Sequence, residues 1–288
     1  MNKIDQKYYE YLKYELNYSD NTIKDYLRNL ESFFSYLDTL KKDYLSLTKE
    51  DTINYLKYLD KKKLSNKTIA NILSSIRTYY DYLLDLKKVD INIFKLVKNP
   101  KIEKKLPSFL SEGEMDDIFD SIECNNVLDY RNKLIIELFY DTGIRVSELT
   151  NIKLEDIKKA EKTIRIYGKG NKERIVYYTK KCAEAIDNYL NVRNSDSEFL
   201  ILNFKGDKIT SRGIEKIISN IFTKAAIKTK ASPHTIRHTF ATHLLNNGAD
   251  IKSVQELLGH SSLNTTEIYT HVTSEYLKQE YLKNMPRK

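Results

Sequence analysis

Between Asp20 and Leu37 the apolar side chains of Ile23, Tyr26, Leu27, Leu30, Phe34 and Leu37 recur at steps of three and four residues. That period gathers them on one side of a helix and leaves the intervening polar residues on the other. The same rhythm runs through residues 5–17, 48–61 and 66–87, so the chain opens with four amphipathic helices. The third is announced by Thr48 and Asp51, spaced like an N-cap and its N3 carboxylate. In the fourth, Ile69, Ile72, Leu73, Ile76, Tyr80 and Leu83 mark the buried face. The rhythm stops near residue 98, and from Asn99 to Pro107 two prolines and four charged residues show neither helical nor strand period, which predicts an extended linker. A second region begins at Ser111, an N-cap with Glu114 at N3. Helices follow at 112–122 and 130–142, then strands Thr163–Tyr167 and Arg174–Tyr178 around a Gly-Lys-Gly-Asn-Lys turn, then helices to the end. The expected fold is mainly α with a small β-sheet (α+β). It divides into a helical domain over 1–98, a linker over 99–107 and a mixed domain over 108–288.

Composition narrows the setting. Hydrophobic residues make up 41% of the 288, yet no run approaches the ~20 apolar residues that cross a bilayer, and Met1–Asp5 lacks the apolar stretch of a signal peptide. A cytoplasmic protein is expected. Cys124 and Cys182 stand far apart with no Cys or His at zinc spacing, so free thiols in core helices are expected rather than a disulfide or a structural metal. The formal net charge of +8 suits a polyanionic partner. Residues 61–80 sharpen this, with five basic and no acidic side chains. There Lys67, Asn71, Ser74 and Arg77 lie opposite the buried face, a pattern that fits contacts to DNA phosphates and bases and fits a merely solvated basic surface as well.

Three stretches carry candidate chemistry. In Asp141-Thr-Gly-Ile-Arg-Val-Ser-Glu-Leu149, Gly143 ends one helix and a short one follows at once, which holds Arg145 at the junction. A guanidinium there can donate two parallel hydrogen bonds to a phosphate, or pair simply with Glu148. Ser232-Pro-His-Thr-Ile-Arg-His-Thr-Phe-Ala-Thr-His-Leu-Leu245 opens a helix with an N-cap and a proline at N1, and puts His234 and Arg237 in its first turn, where free N–H groups favour an anion. The spacing of His234, His238 and His243 also admits a metal reading, which the lack of a third ligand or a following Glu disfavours. Finally, a helix over Asp250–Leu258 stops at Gly259 and delivers His260, and Tyr269 comes nine residues later.

Taken together, Arg145 in Thr-Gly-Ile-Arg-Val-Ser-Glu-Leu, His234-x-x-Arg237, Leu258-Gly259-His260 and Tyr269 occur in the order and context of the tyrosine recombinase (phage integrase) family. The chain resembles that family over almost its whole length. Gly168-Lys-Gly-Asn-Lys-Glu-Arg174, His238-Thr-Phe-Ala-Thr-His-Leu244 and the tail Met285-Pro-Arg-Lys288 resemble its Xer branch, which resolves chromosome dimers. Ile236 departs from the family's usual Leu, and Met285 stands where many Xer tails have His.

The resemblance implies a two-domain DNA clamp, with a core-binding (SAM-like) domain before the linker and a catalytic domain after it. It implies that Tyr269 attacks the scissile phosphodiester, forming a 3′-phosphotyrosyl bond and releasing a 5′-hydroxyl, on the way to a Holliday junction. Arg145 and Arg237 would hold the nonbridging oxygens, His260 would add a hydrogen bond, and His234 would assist proton transfer. Lys169 would protonate the leaving oxygen and Glu148 would orient its neighbours. No metal, nucleotide or other cofactor is implied. The implied partners are a double-stranded recombination site, a homotetramer or a heterotetramer with a paralogue on two such sites, and a septal DNA translocase as activator. Two other functions are compatible with these residues: an integrase or transposase of a mobile element, which often carries a further N-terminal domain, and an inactive DNA-binding relative. The stretch Glu275–Leu282, with Tyr276, Leu277, Tyr281 and Leu282 in a short apolar stripe, is expected to need the surface of a neighbouring protomer, with packing in cis on its own domain as the alternative.

Overall fold

The structure, a computed structural model, describes residues 4–102, 108–168, 173–259 and 271–287, from backbone alone over 271–274. The chain forms two compact units, Met1–Lys105 and Leu106–Lys288.

In the first unit α1 (Gln6–Glu10) widens directly into a π-helical turn at Tyr11–Glu15, and α2 (Asp20–Thr39), α3 (Lys49–Lys61) and α4 (Asn66–Asp85) follow. Each later helix begins at a hydroxyl that accepts a backbone N–H three residues on: Ser19 from Thr22, Thr48 from Asp51, Ser65 from Thr68. The core mixes Leu and Ile with many aromatic rings, of which Tyr8, Phe33, Tyr55, Tyr80 and Phe94 are all but inaccessible. Their rings meet edge to face, as Tyr8 on Tyr79 at 87° and Phe33 on Phe94 at 87°, the arrangement their quadrupoles favour.

Arg77 corrects the expectation of an outward row on α4. Lys67, Asn71 and Ser74 are exposed, but the Arg77 guanidinium folds back on the chain leaving the unit. Its Nε donates to Phe94 O at 2.9 Å, Nη2 to Val97 O at 2.6 Å and Nη1 to Asn99 Oδ1 at 2.7 Å. Helical period located its Cα, but a long side chain goes where acceptors are, and these lie 17 to 22 residues downstream. Arg77→Ala should therefore lower the unfolding free energy of this unit by about 1–3 kcal/mol, the range for charged hydrogen bonds, and leave DNA affinity nearly unchanged at matched folded fraction. A large loss of affinity without loss of stability, by titration and urea melts, would restore it to the DNA face.

The second unit runs α5 (Glu112–Asp120), α6 (Val127–Thr142), α7 (Val146–Leu149), a sheet, then α8 (Lys180–Val192), α9 (Ser211–Lys224), α10 (Pro233–Asn246), α11 (Ile251–Leu258) and α12 (His271–Asn284). The sheet is antiparallel in the order β1 (Ile157–Lys158), β2 (Thr163–Tyr167), β3 (Glu173–Tyr177), with Ile164 opposite both Ile157 and Val176. β1 is too short to show a period in sequence. β3 begins and ends one residue earlier than its pattern suggests. Cys182 is buried in α8 as expected, but half-buried Cys124 sits in the loop before α6 and not in a helix; both are free thiols.

α6 is the axis of this unit and packs on α8 and α10. Leu134, Ile135, Ile136, Leu138 and Phe139 are all inaccessible, and so are Glu137 and Asp141, because the helix is covered on every side. The Asp141 carboxyl accepts Thr179 N at 2.7 Å and Thr179 Oγ1 at 2.6 Å, which ties α6 to the start of α8. Burial pushes its pKa up to about 7, with the Thr179 hydrogen bonds opposing. In the unfolded chain an Asp titrates near ~3.9, so between those values the folded state binds the extra proton, and stability falls as pH rises to about 7 and is level above it. Asp141→Asn keeps an oxygen for Thr179 and never ionises. Urea melts should show it gaining on the wild type between pH 5 and pH 8 by on the order of 3 kcal/mol; an unchanged difference would mean that Asp141 is not the titrating group.

Two further contacts fix elements around the site. His243 donates from Nε2 to Leu110 O at 2.8 Å and shares a hydrogen bond at Nδ1 with Tyr140 Oη at 2.9 Å, while Thr239 Oγ1 accepts Leu110 N at 2.9 Å. The histidine run of α10 thus bolts the segment before α5 in place. The C-terminal stripe also differs from expectation, because α12 packs on α10 and α11 of its own unit. Tyr281 is fully buried with its ring 6.0 Å from that of Tyr177, Met285 is buried, and Arg287 Nη1 meets Glu137 Oε1 at 2.6 Å. Tyr276 and Leu282 stay exposed. The stripe that matters is Leu277–Tyr281–Met285, a four-residue step that runs past the eight residues first considered. No helix among the described residues is long and apolar enough to cross a membrane.

Candidate active site

Arg145 is placed by a glycine. α6 ends at Gly143 in the left-handed region, φ 57°, where a Cβ would meet Phe240 Cε1 at 2.8 Å and Leu258 Cδ2 at 2.9 Å. Both backbone conformation and packing demand glycine there. Two residues on, Arg145 is extended and caps α7, its N–H donating to Glu148 Oε2 at 2.7 Å. Its guanidinium donates through Nη1 to Glu148 Oε1 at 2.9 Å and through Nη2 to Gly259 O at 3.3 Å, with 40% of the side chain exposed.

Arg237 comes from the first turn of α10, which Ser232 caps and Pro233 begins. It is buried, and donates from Nη1 to Gly143 O and from Nη2 to Leu258 O at 2.8 Å. Those carbonyls close α6 and α11, where the peptide dipoles present their negative ends, so two helix termini compensate one buried cation. Burial is the main cause that lowers the Arg237 pKa to about 10; the like charge of Arg145 adds to it, and Glu148 opposes. At neutral pH the group stays charged.

Glu148 is the hub. Its carboxylate is 4% exposed and takes Arg145 N and Nη1 together with Arg174 Nη1 and Nη2, the last two at 2.8 Å each. Burial alone would raise its pKa, but the Arg174 and Arg145 hydrogen bonds outweigh burial and hold the carboxyl below its ordinary value. Arg174, on β3, also lies over Gly259, itself left-handed at φ 65°: a Cβ on Gly259 would meet Arg174 Cδ at 2.9 Å and Nε at 3.0 Å.

Of the residues expected at the site, the structure brings together Arg145, Glu148 and Arg237: the two arginines donate to the adjacent carbonyls of Gly259 and Leu258, and Glu148 pairs with Arg145. His234 is exposed on the first turn of α10. Lys169, His260 and Tyr269 lie outside the described residues. Arg174 was not expected: it closes a sequence run that points to the Xer branch, yet nothing local announces a carboxylate 26 residues earlier as its partner. Three guanidiniums against one carboxylate leave the centre two charges positive, a half-buried seat for an anion whose arginine forks match phosphate geometry. No group of three His, Cys, Asp or Glu among the described residues could hold a metal ion.

Comparison with known proteins decides what this centre belongs to. The Phage integrase family model matches residues 108–275, and the model of its N-terminal SAM-like domain matches residues 6–87. The chain belongs to the phage integrase family. This recombinase is 40% identical over 291 aligned positions to the tyrosine recombinase XerC of Staphylococcus aureus strain JH9, covering 100% of the chain and 98% of that protein. Among solved structures, XerA recombinase is 31% identical with a TM-score of 0.51, 98% of each chain being covered. XerH site-specific recombinase, bound to palindromic difH substrate in a post-cleavage complex, is 27% identical with a TM-score of 0.72 over 89% of this chain and 78% of that one. The protein is a Xer-type tyrosine recombinase, a site-specific DNA recombinase with a mostly helical fold and one small sheet.

Proposed function

We propose that this recombinase cuts and rejoins each DNA strand through a 3′-phosphotyrosyl bond at Tyr269, and that its biological task is the resolution of chromosome dimers in the cytoplasm. The observation that carries the reading is the convergence of Arg145, which Glu148 holds, and Arg237 on the Leu258–Gly259 backbone, immediately before His260 in the chain. Arg145 and Arg237 hold the nonbridging oxygens and stabilise charge as the phosphorus becomes five-coordinate. His260 adds a hydrogen bond there. A tyrosine hydroxyl titrates near ~10, so the attack at neutral pH draws on the positive field and on His234 for the proton. Lys169 protonates the departing 5′ oxygen. The bond energy stays in the phosphotyrosyl ester, and the 5′-hydroxyl of the exchanged strand reverses the step.

The substrate is a double-stranded site engaged by four protomers on two DNA duplexes, alone or with a paralogue, and a septal DNA translocase acts as the trigger. Lys67, Asn71 and Ser74 face a polar groove of about 320 Å³ between α2 and α4 or lie beside it, and contact the DNA from the first unit. The 40% identity to a Xer protein over the full chain favours chromosome resolution over element mobility. The test has two arms. Wild-type protein selects its site from a random duplex library, and a nicked duplex carrying that site should then trap it covalently in excess EDTA. Binding without any adduct would overturn the chemistry, and selected sites that map to the ends of a mobile element rather than the replication terminus would overturn the task.

A further inference from the structure

We propose that Arg174 is a positioning residue of the cleavage reaction, acting on Arg145 through Glu148; the inference rests on the phosphotyrosyl reading above. The Glu148 carboxylate is shared evenly. Each of its oxygens takes one hydrogen bond from Arg174, at 2.8 Å, and one from Arg145, at 2.9 Å to Oε1 from the guanidinium and 2.7 Å to Oε2 from the backbone. A carboxylate facing a single arginine closes on both arms of its fork. Here Arg174 occupies that bidentate place, so Arg145 is held by one arm and its 40% exposed guanidinium is left with donors for a phosphate.

Arg174 acts on the second arm of Arg145 as well. That arm donates to Gly259 O, and the Arg174 stem packs on Gly259 so closely that a Cβ there would lie 3.1 Å from Cζ. One side chain from β3 therefore fixes the carboxylate and borders the backbone on which Arg145 rests. The buried Nε of Arg174 has no hydrogen-bond partner among the described residues. Arg174 also supplies one of the two positive charges in excess at the centre. A lysine supplies the charge without the fork.

The test is single-turnover trapping on the nicked duplex, with Arg174→Gln, Arg174→Lys, Glu148→Gln and the double variant Arg174→Gln/Glu148→Gln. Both Arg174 variants should bind the site within about threefold of wild type and cleave roughly 10–100-fold more slowly, as expected for a group that holds a reacting residue from behind. In Arg174→Gln the Glu148 carboxyl loses its strongest partner, burial prevails, and an acid limb should enter the rate profile at higher pH than in wild type. The double variant should cost less than the product of the two single losses. Wild-type rates in either variant, or slow cleavage with an unshifted pH profile and independent losses, would overturn the inference. If Arg174→Gln does not fold by circular dichroism, Arg174→Lys decides by its cleavage rate. Failure of wild type itself to form an adduct would instead overturn the functional reading on which this rests.

Discussion

Replacing Tyr269 with Phe should abolish the covalent protein–DNA adduct and leave site binding intact. The change removes one oxygen and keeps the ring, so the positive phosphate seat is untouched while the hydroxyl proposed to attack phosphorus is gone. Loss of a covalent nucleophile leaves transition-state stabilisation by Arg145 and Arg237 with nothing to act on, and adduct should fall below detection, a change of at least ~10⁴-fold. Detergent electrophoresis after trapping on the nicked duplex measures it. An adduct that persists in Tyr269→Phe would move the assignment to another tyrosine. The structure narrows that choice, because Tyr281 is fully buried in the core of its unit while Tyr276 is half exposed. Tyr276→Phe is therefore the control that separates the two.

Arg237→Lys should have the second-largest effect. The wild-type guanidinium spans two helix-terminal carbonyls, Gly143 O and Leu258 O, and still belongs to a fork wide enough to meet a phosphate. A lysine ammonium is a single point and cannot hold both carbonyls and the anion in that plane. Strand cleavage should fall roughly 10²–10³-fold, the loss typical when one pre-positioned donor to a developing charge is removed. Binding of the intact site should change little, because lysine keeps the positive charge that supplies the electrostatic part of DNA affinity. A lysine variant that cleaves at the wild-type rate would reduce Arg237 to a counter-charge for two helix ends. Melting curves run alongside report how much of any loss comes from those two carbonyls going unpaired.

The contrast among the arginines shows what was legible in the chain. Arg145 and Arg237 could be placed because each sits where local rules act: one follows a left-handed glycine, the other lies in the first turn of a capped, proline-started helix. Arg77 and Arg174 could not. The first lies on α4 where period predicts an outward side chain, and instead it reaches acceptors in the chain beyond Phe94. The second sits on β3, and its partner Glu148 belongs to a helix that comes before the sheet. The C-terminal stripe shows the same limit, since Tyr281 finds its place against Tyr177 of β3 and the Arg287 guanidinium against Glu137 of α6.

By itself the sequence determined the properties set by near neighbours in the chain. These are the helices with their hydroxyl caps, the β2–β3 pair, the glycines that end α6 and α11, and the order of motifs that marks the family. Each depends on backbone conformation or on residues within about a turn of one another, so a linear pattern encodes it. Only the tertiary structure decided that one carboxylate serves two arginines, that Arg237 rests on two helix ends, that Arg77 reaches acceptors at Phe94, Val97 and Asn99, and that the tail packs on its own unit. Those outcomes depend on which long, flexible, charged side chain reaches which acceptor across the fold. Periodicity carries no information about that competition, because burial penalises any cation left unpaired and accepts any partner that geometry brings within reach.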